Sequence, residues 1–324
     1  MTTKGQIEKL RLAINENLRV QRGGADPVPY IDVGNVLNDV RARQNHAVFA
    51  RRGCGKTLLL QHSSRELDSS TKSVYLNCED FKRHSFPNVL IEILNALFTE
   101  LEGHLTGWFG KKKQSRRLIA GIREELATLR ARADTQEQEV RELVARDKGT
   151  SLDGSVEFHH APVSLRASGG TKERIRAETE RTYRILDNKI RELDTKLPRL
   201  KAQIREFFEL STNVKTVYLQ IDDFYHLNRV DQPLVMDYIH RLCKDLPLYF
   251  KIATLKHATT LYADRDGQPI GAQERHDYQP INIDFTFSDF RRTRDQNRAI
   301  LQEFGRLAGM TPADVDGLFK GDGL

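Results

Sequence analysis

Between the apolar run Ala47-Val48-Phe49 and the aliphatic start Leu58-Leu59-Leu60 stands the octapeptide Ala50-Arg51-Arg52-Gly53-Cys54-Gly55-Lys56-Thr57, which restricts the fold more than any other stretch. It reads as a phosphate-binding loop. Such a loop needs a tight turn whose backbone N–H groups point at phosphate oxygens, a lysine that reaches the β- and γ-phosphates, and a hydroxyl for Mg²⁺. Gly53, Gly55, Lys56 and Thr57 supply these parts. The motif demands a strand before it and a helix after it, whose positive N-terminal end faces the anion, and both flanks are present. Ala50 stands where the usual pattern has glycine, which matters only if that position needs positive φ. The segment from Ala50 to Leu58 is therefore the candidate binding loop.

The chain around the loop alternates. His46 to Ala50 reads as a strand, followed by a helix to about Asp68, a strand over Lys72 to Asn77, and a helix opened by Pro87 with Val89, Leu90, Ile93, Leu94, Leu97 and Phe98 at helical spacing. This β-α-β-α order predicts an α/β fold with a parallel sheet covered by helices. A long insertion then intervenes. Ile119, Ile122, Leu126, Leu129, Ala133, Gln136, Val140 and Leu143 form one heptad seam, and Tyr183, Leu186, Ile190, Leu193, Leu197, Leu200, Ile204 and Phe207 form another, interrupted at Pro198. Two such helices predict an antiparallel coiled-coil arm, with a hairpin tip over 155–165. The core resumes with a strand at Thr216 to Ile221, a helix near Pro233 to Lys244, strands at Leu248 to Thr254 and Ile281 to Phe285, and a helix from Phe287 to Gly309 with Ile300, Leu301, Phe304 and Leu307 on one face. Thr311-Pro312 opens a last helix.

The domain plan follows. Residues 1–27 are an N-terminal helix and linker, 28–103 and 211–310 the core, 104–210 the inserted arm, and 311–324 the start of a helical lid. A net charge of +6 is compatible with nucleic acid without requiring it. The three cysteines, Cys54, Cys78 and Cys243, are widely spaced, which fits a reducing cytoplasm and argues against a disulfide or zinc framework. No apolar run approaches the roughly 20 residues of a membrane span, so no membrane association is expected.

The strand Val217-Tyr218-Leu219-Gln220-Ile221 ends in Asp222-Asp223. A carboxylate at the tip of a buried strand beside a phosphate loop can hold the Mg²⁺ that Thr57 also binds, and its neighbour can orient an attacking water. Asp222 is assigned to the metal and Asp223 to the water. The plain alternative is an ordinary strand end, where Asp is favoured.

With these two motifs in this order the chain resembles the AAA+ P-loop ATPases of the origin-recognition type and the allied STAND ATPases, over about 28–103 and 211–310. The resemblance implies a five-stranded parallel sheet with the strand at 248–254 between those carrying the motifs, ATP and Mg²⁺ as cofactors, and a nucleotide-driven switch. It implies a sensor at Thr254, with Lys256 in reserve, and an arginine finger at Arg265 or Arg275. It also implies homo-oligomers that act on an effector protein or DNA. By analogy of fold, ATPases with appended arms point to bacterial antiviral defence. Asp223 departs from the family's usual glutamate, which implies slow hydrolysis. The lid is only begun at Leu324, so further chain is expected beyond it.

Two other functional readings stay open. One is a nucleotide-binding scaffold or signalling protein with little turnover. The other is a coiled-coil ABC or SMC-like ATPase, suggested by Ser168-Gly169-Gly170 but opposed by Ala167 and by the returning arm between Gly170 and Asp222. The basic cluster Lys111-Lys112-Lys113 and Arg116-Arg117, beside Trp108 and Phe109, is a candidate nucleic-acid grip or a solvated helix start. His159-His160 lacks further ligands at metal spacing.

Overall fold

The computed structural model describes residues 4–17, 30–32, 34–105, 113–130, 169–265, 267–284 and 289–318. Its centre is a sheet of five short runs, all parallel: β1 (His46–Phe49), β2 (Thr71–Asn77), β3 (Thr216–Asp222), β4 (Leu248–Thr254) and, after a separate hairpin of β5 (Tyr262–Arg265) and β6 (Gln268–Gly271), β7 (Gln279–Asn282). The order across the sheet is β2-β3-β4-β1-β7. Every residue of β3 is buried, as expected where helices cover both faces of a parallel sheet. The strand at 248–254 therefore lies between the one that leads into the 50–57 loop and the one that ends at Asp222.

Register sets where the strands end. Asn77 lies opposite Asp222, and Phe49 lies between Thr254 and Asn282. One edge of the sheet thus collects the carboxyl ends of all five strands, the place where open α/β sheets bind ligands. The opposite edge holds a buried cation. Lys251 is fully buried in β4, and its Nζ donates to the carbonyls of Ala42 (2.6 Å) and Gln44 (2.7 Å) and meets His46 Nδ1 at 2.8 Å. The Tyr218 ring lies 4.6 Å away.

Nine helices among the described residues surround this sheet: α1 (Lys4–Asn17), α2 (Val36–Arg41), α3 (Lys56–Ser63), α4 (Asn88–Gly103), α5 (113–130), α6 (Gly169–Leu210), α7 (Gln232–Cys243), α8 (Phe290–Leu307) and α9 (Pro312–Leu318). None is long and apolar enough to cross a membrane. Helix α3 stops at Ser63, short of the expected Asp68, because its last carbonyls find other donors. Leu60 O accepts from the Ser63 and Ser64 hydroxyls and from Gln220 Nε2 of β3, and Ser64 and Arg65 N–H groups turn to carbonyls three residues back. The final strand is Gln279–Asn282, earlier than expected, and the following helix starts at Phe290.

The inserted helices are rooted in the core. Ile119, Ile122, Leu126 and Leu129 of α5 and Leu193, Leu197, Leu200, Ile204 and Phe207 of α6 belong to the same buried cluster as α4, β3 and α7. Arg123 pairs with Glu102, Arg130 with Glu92 at 2.8 Å, and Asp194 accepts from Tyr238 and Arg241 at 3.0 Å. Helix α6 runs without a break through Pro198. The hairpin tip, the outer seam residues Ala133 to Leu143, the aromatics Trp108 and Phe109, Lys111, Lys112 and His159-His160 lie outside the described residues, as do the side chains of Tyr183 and Leu186. Of the basic cluster, Arg116 donates to Leu105 O at 2.6 Å, which gives it a role in closing the end of α4. A second, smaller cluster packs α1 on α8 and α9 through Leu10, Phe304, Ala308, Met310 and Val315, and Thr311 with Asp314 caps α9 reciprocally.

Candidate functional site

Loop 50–57 closes over the carboxyl end of β1 with the backbone its sequence implies. Positive φ within it falls on Gly53 and Gly55, both at 82°, where only glycine is unstrained. Ala50 needs no such conformation and is buried against the sheet, its N–H bonded to Thr254 O at 3.3 Å, which explains why alanine is accepted there. Lys56 begins α3 with its stem buried, and its Nζ donates to the carbonyls of Ala50 (3.1 Å) and Arg51 (3.0 Å). Burial pulls the Lys56 pKa down, while the charges of Asp223 and Asp222 push back.

Asp222 is fully buried at the tip of β3. Its Oδ2 accepts from the Tyr75 hydroxyl at 2.7 Å and its Oδ1 from the Asp223 N–H at 2.9 Å, and the Thr57 hydroxyl lies close enough to act on it. Desolvation raises its pKa, and the Thr57 and Tyr75 hydroxyls oppose that rise. A carboxylate meeting a threonine hydroxyl is a set of hard oxygen donors of the kind Mg²⁺ takes. Asp223 adopts the left-handed conformation (φ 52°, ψ 40°), which costs a non-glycine residue on the order of 1 kcal/mol. Its charge acts on Lys56 and on the Tyr225 hydroxyl.

Four partners were not anticipated from sequence. Asp284, just past β7, takes Arg51 in a fork, Nε to Oδ2 at 2.5 Å and Nη2 to Oδ1 at 3.2 Å. Tyr225 carries the Arg52 guanidinium 5.2 Å from its ring centroid. Tyr75 reaches Asp222 from the neighbouring strand, and Tyr30 flanks the loop, its ring 3.8 Å from where a Cβ on Gly55 would stand. Only Asp284 left a local signal, an acid directly after the last strand; the tyrosines become visible once register is known. Cys54 is half-buried, and desolvation pushes its thiol pKa up.

The remaining candidates are spread out. Thr254 lies at the same edge as the loop, fully buried, with its hydroxyl 2.5 Å from that of Thr259. Lys256 follows in a short turn, exposed, and Leu58 sits half-buried in the first turn of α3. Arg275 has a left-handed backbone (φ 67°) and a side chain 81% exposed, beside Glu274. It precedes β7, whose first residue lies opposite His46, so Arg275 stands at the far edge of the sheet from the loop. Arg265 ends β5, in a hairpin packed on α7; its side chain is outside the described residues.

Lys56, Thr57, Asp222 and Asp223 thus converge on one edge of the sheet, with two further cations in the loop. Compared with protein-family models, curated proteins and solved structures, the chain matches none.

Proposed function

We propose that this chain is a Mg²⁺-dependent ATPase of the P-loop class, of the AAA+ or STAND-like kind, in which bound nucleotide switches its association with itself, with an effector protein or with DNA. One observation carries the reading: a glycine loop with a buried lysine, a threonine hydroxyl and two strand-tip carboxylates meet at the carboxyl edge of a parallel sheet in which β4 separates β1 from β3.

The chemistry follows from those residues. Loop N–H groups and the N-terminus of α3 surround the phosphates, and Lys56 exchanges its two carbonyls for phosphate oxygens, a stronger charge-assisted partner. Thr57 and Asp222 would hold Mg²⁺, which when bound offsets charge on the β- and γ-phosphates. Asp223 orients a water and accepts its proton as the new O–P bond forms and the bond to the β-phosphate oxygen breaks, leaving ADP and inorganic phosphate.

Nucleotide binding and turnover in variants test it. Lys56→Ala should lose ATP affinity by about 100-fold or more, whereas Asp223→Asn should bind ATP and lose about 10²–10³ in turnover. Unchanged ATP binding in Lys56→Ala overturns the assignment. Turnover that rises with duplex DNA, and rises less at high salt, would add DNA as a partner.

A further inference from the structure

Loop 50–57 carries three cations, Arg51, Arg52 and Lys56, and each is held differently. Arg51 is locked in a fork to Asp284, and Lys56 is folded onto two carbonyls of its own loop. Arg52 rests on a neutral group. Its guanidinium lies over the Tyr225 ring, 5.2 Å from the centroid, and the charges of Arg52 and Asp223 both act on the Tyr225 hydroxyl. The charge of Arg52 also bears on Lys56. Arg52 and Lys56 are thus two like charges of one loop that act on each other, and an anion bound by the loop relieves their repulsion.

We propose that Arg52 is the residue with which this site distinguishes a nucleoside triphosphate from a diphosphate, Tyr225 being its resting place and the terminal phosphoryl group its partner when ATP is bound. This rests on the ATP-site reading above. An exposed cation–π contact is a weak hold, whereas a guanidinium on phosphate makes paired charge-assisted hydrogen bonds. Loop N–H groups and Lys56 suffice for a diphosphate, which leaves Arg52 on Tyr225. A triphosphate draws Arg52 off the ring and changes the set of groups around Tyr225 and Asp223. The chain then reads its nucleotide state with an arginine of its own loop, at the short turn Phe224–His226 that leads toward α7.

Titration calorimetry of the full chain with Mg²⁺, comparing ADP with a non-hydrolysable ATP analogue, tests this. Arg52→Ala should weaken the triphosphate about tenfold or more while ADP shifts less than about twofold, and Arg52→Lys, which cannot form the fork, should fall between. Tyr225→Leu removes the resting place and should tighten triphosphate binding roughly two- to fivefold without affecting ADP. If Lys56→Ala loses both nucleotides but Arg52→Ala keeps the wild-type ratio, or Tyr225→Leu weakens both alike, the role of Arg52 is overturned and the ATP site stands. If Lys56→Ala binds both as wild type does, both fall together.

Discussion

Lys251 is the least ordinary residue of the sheet, an ammonium placed where parallel sheets normally hold aliphatic side chains. Burial pulls its pKa down to about 7, and burial together with the Lys251 charge pulls His46 down to about 3. Below pH 7 Lys251 is charged in both folded and unfolded chains. Between 7 and its ordinary value of 10.5 the unfolded chain holds the extra proton, so stability rises with pH across that window and levels off above it. His46 acts the same way lower down: from pH 6.5 toward 3 the unfolded chain takes a proton that the folded chain refuses, and stability falls as acid is added. Each window should be worth up to about 5 kcal/mol, read as urea midpoints across pH. In Lys251→Met the rise between pH 7 and 10.5 should vanish; its persistence would assign the effect elsewhere. Neither residue drew attention in the sequence, because a lysine in a strand reads as an edge or surface position until its neighbours are known.

Among the elements, helix α8 shows what a periodic pattern conveys and what it leaves out. The spacing of Ile300, Leu301 and Phe304 placed the buried stripe, but Leu307 falls off it and is 37% exposed, while Gly305 and Ala308 continue it. Gly305 is small for a reason: a Cβ there would stand 2.3 Å from Val315 Cγ2 of α9. Alanine normally favours a helix over glycine by roughly 1 kcal/mol, yet here the overlap should win, with a net loss of about 1–2 kcal/mol. Hydrogen exchange would localise it, with protection lost at Met310 and Val315, whose N–H groups close the α8–α9 turn, and retained in the sheet. Other elements were legible to different depths. The strands and the parallel sheet were legible in the alternation around the loop, whereas the place of β4 between β1 and β3 was implied only by the resemblance, and the outer places of β2 and β7 become visible in the register. Helix α2 was not anticipated because six residues carry too little periodicity, and hairpin β5–β6 was missed although Asp266-Gly267 between its strands is a dipeptide that two-residue hairpins favour. At the site, Lys56, Thr57, Asp222 and Asp223 stand in the sequence as adjacent letters, whereas Tyr75, Tyr225 and Asp284 join them only through strand register and turn geometry.

Taken as a whole, the molecule does not divide where the sequence suggests. Excising 111–210 should leave a compact α/β core if the insertion is a simple appendage. Yet α5 and the second half of α6 bury nine large apolar side chains with α4, β3 and α7. At about 1.5 kcal/mol or more each, their loss is comparable to the whole of the roughly 5–15 kcal/mol by which a domain is stable. That deletion should therefore give insoluble or unfolded protein, whereas joining Arg130 to Asn188 through a short flexible link should keep cooperative unfolding and, on the ATP-site reading, nucleotide binding. A folded 111–210 deletion would refute this. The clamped part of α6 begins near Ile190, and its first half, from Gly169, extends past that clamp by about 30 Å. Helix α7 follows the turn at Tyr225 and grips Asp194 of α6 through Tyr238 and Arg241. Mechanically that makes α6 a needle clamped along its second half: a tilt of about 5° about Asp194 sweeps Gly169 through roughly 3 Å, an amplification built from helix length alone.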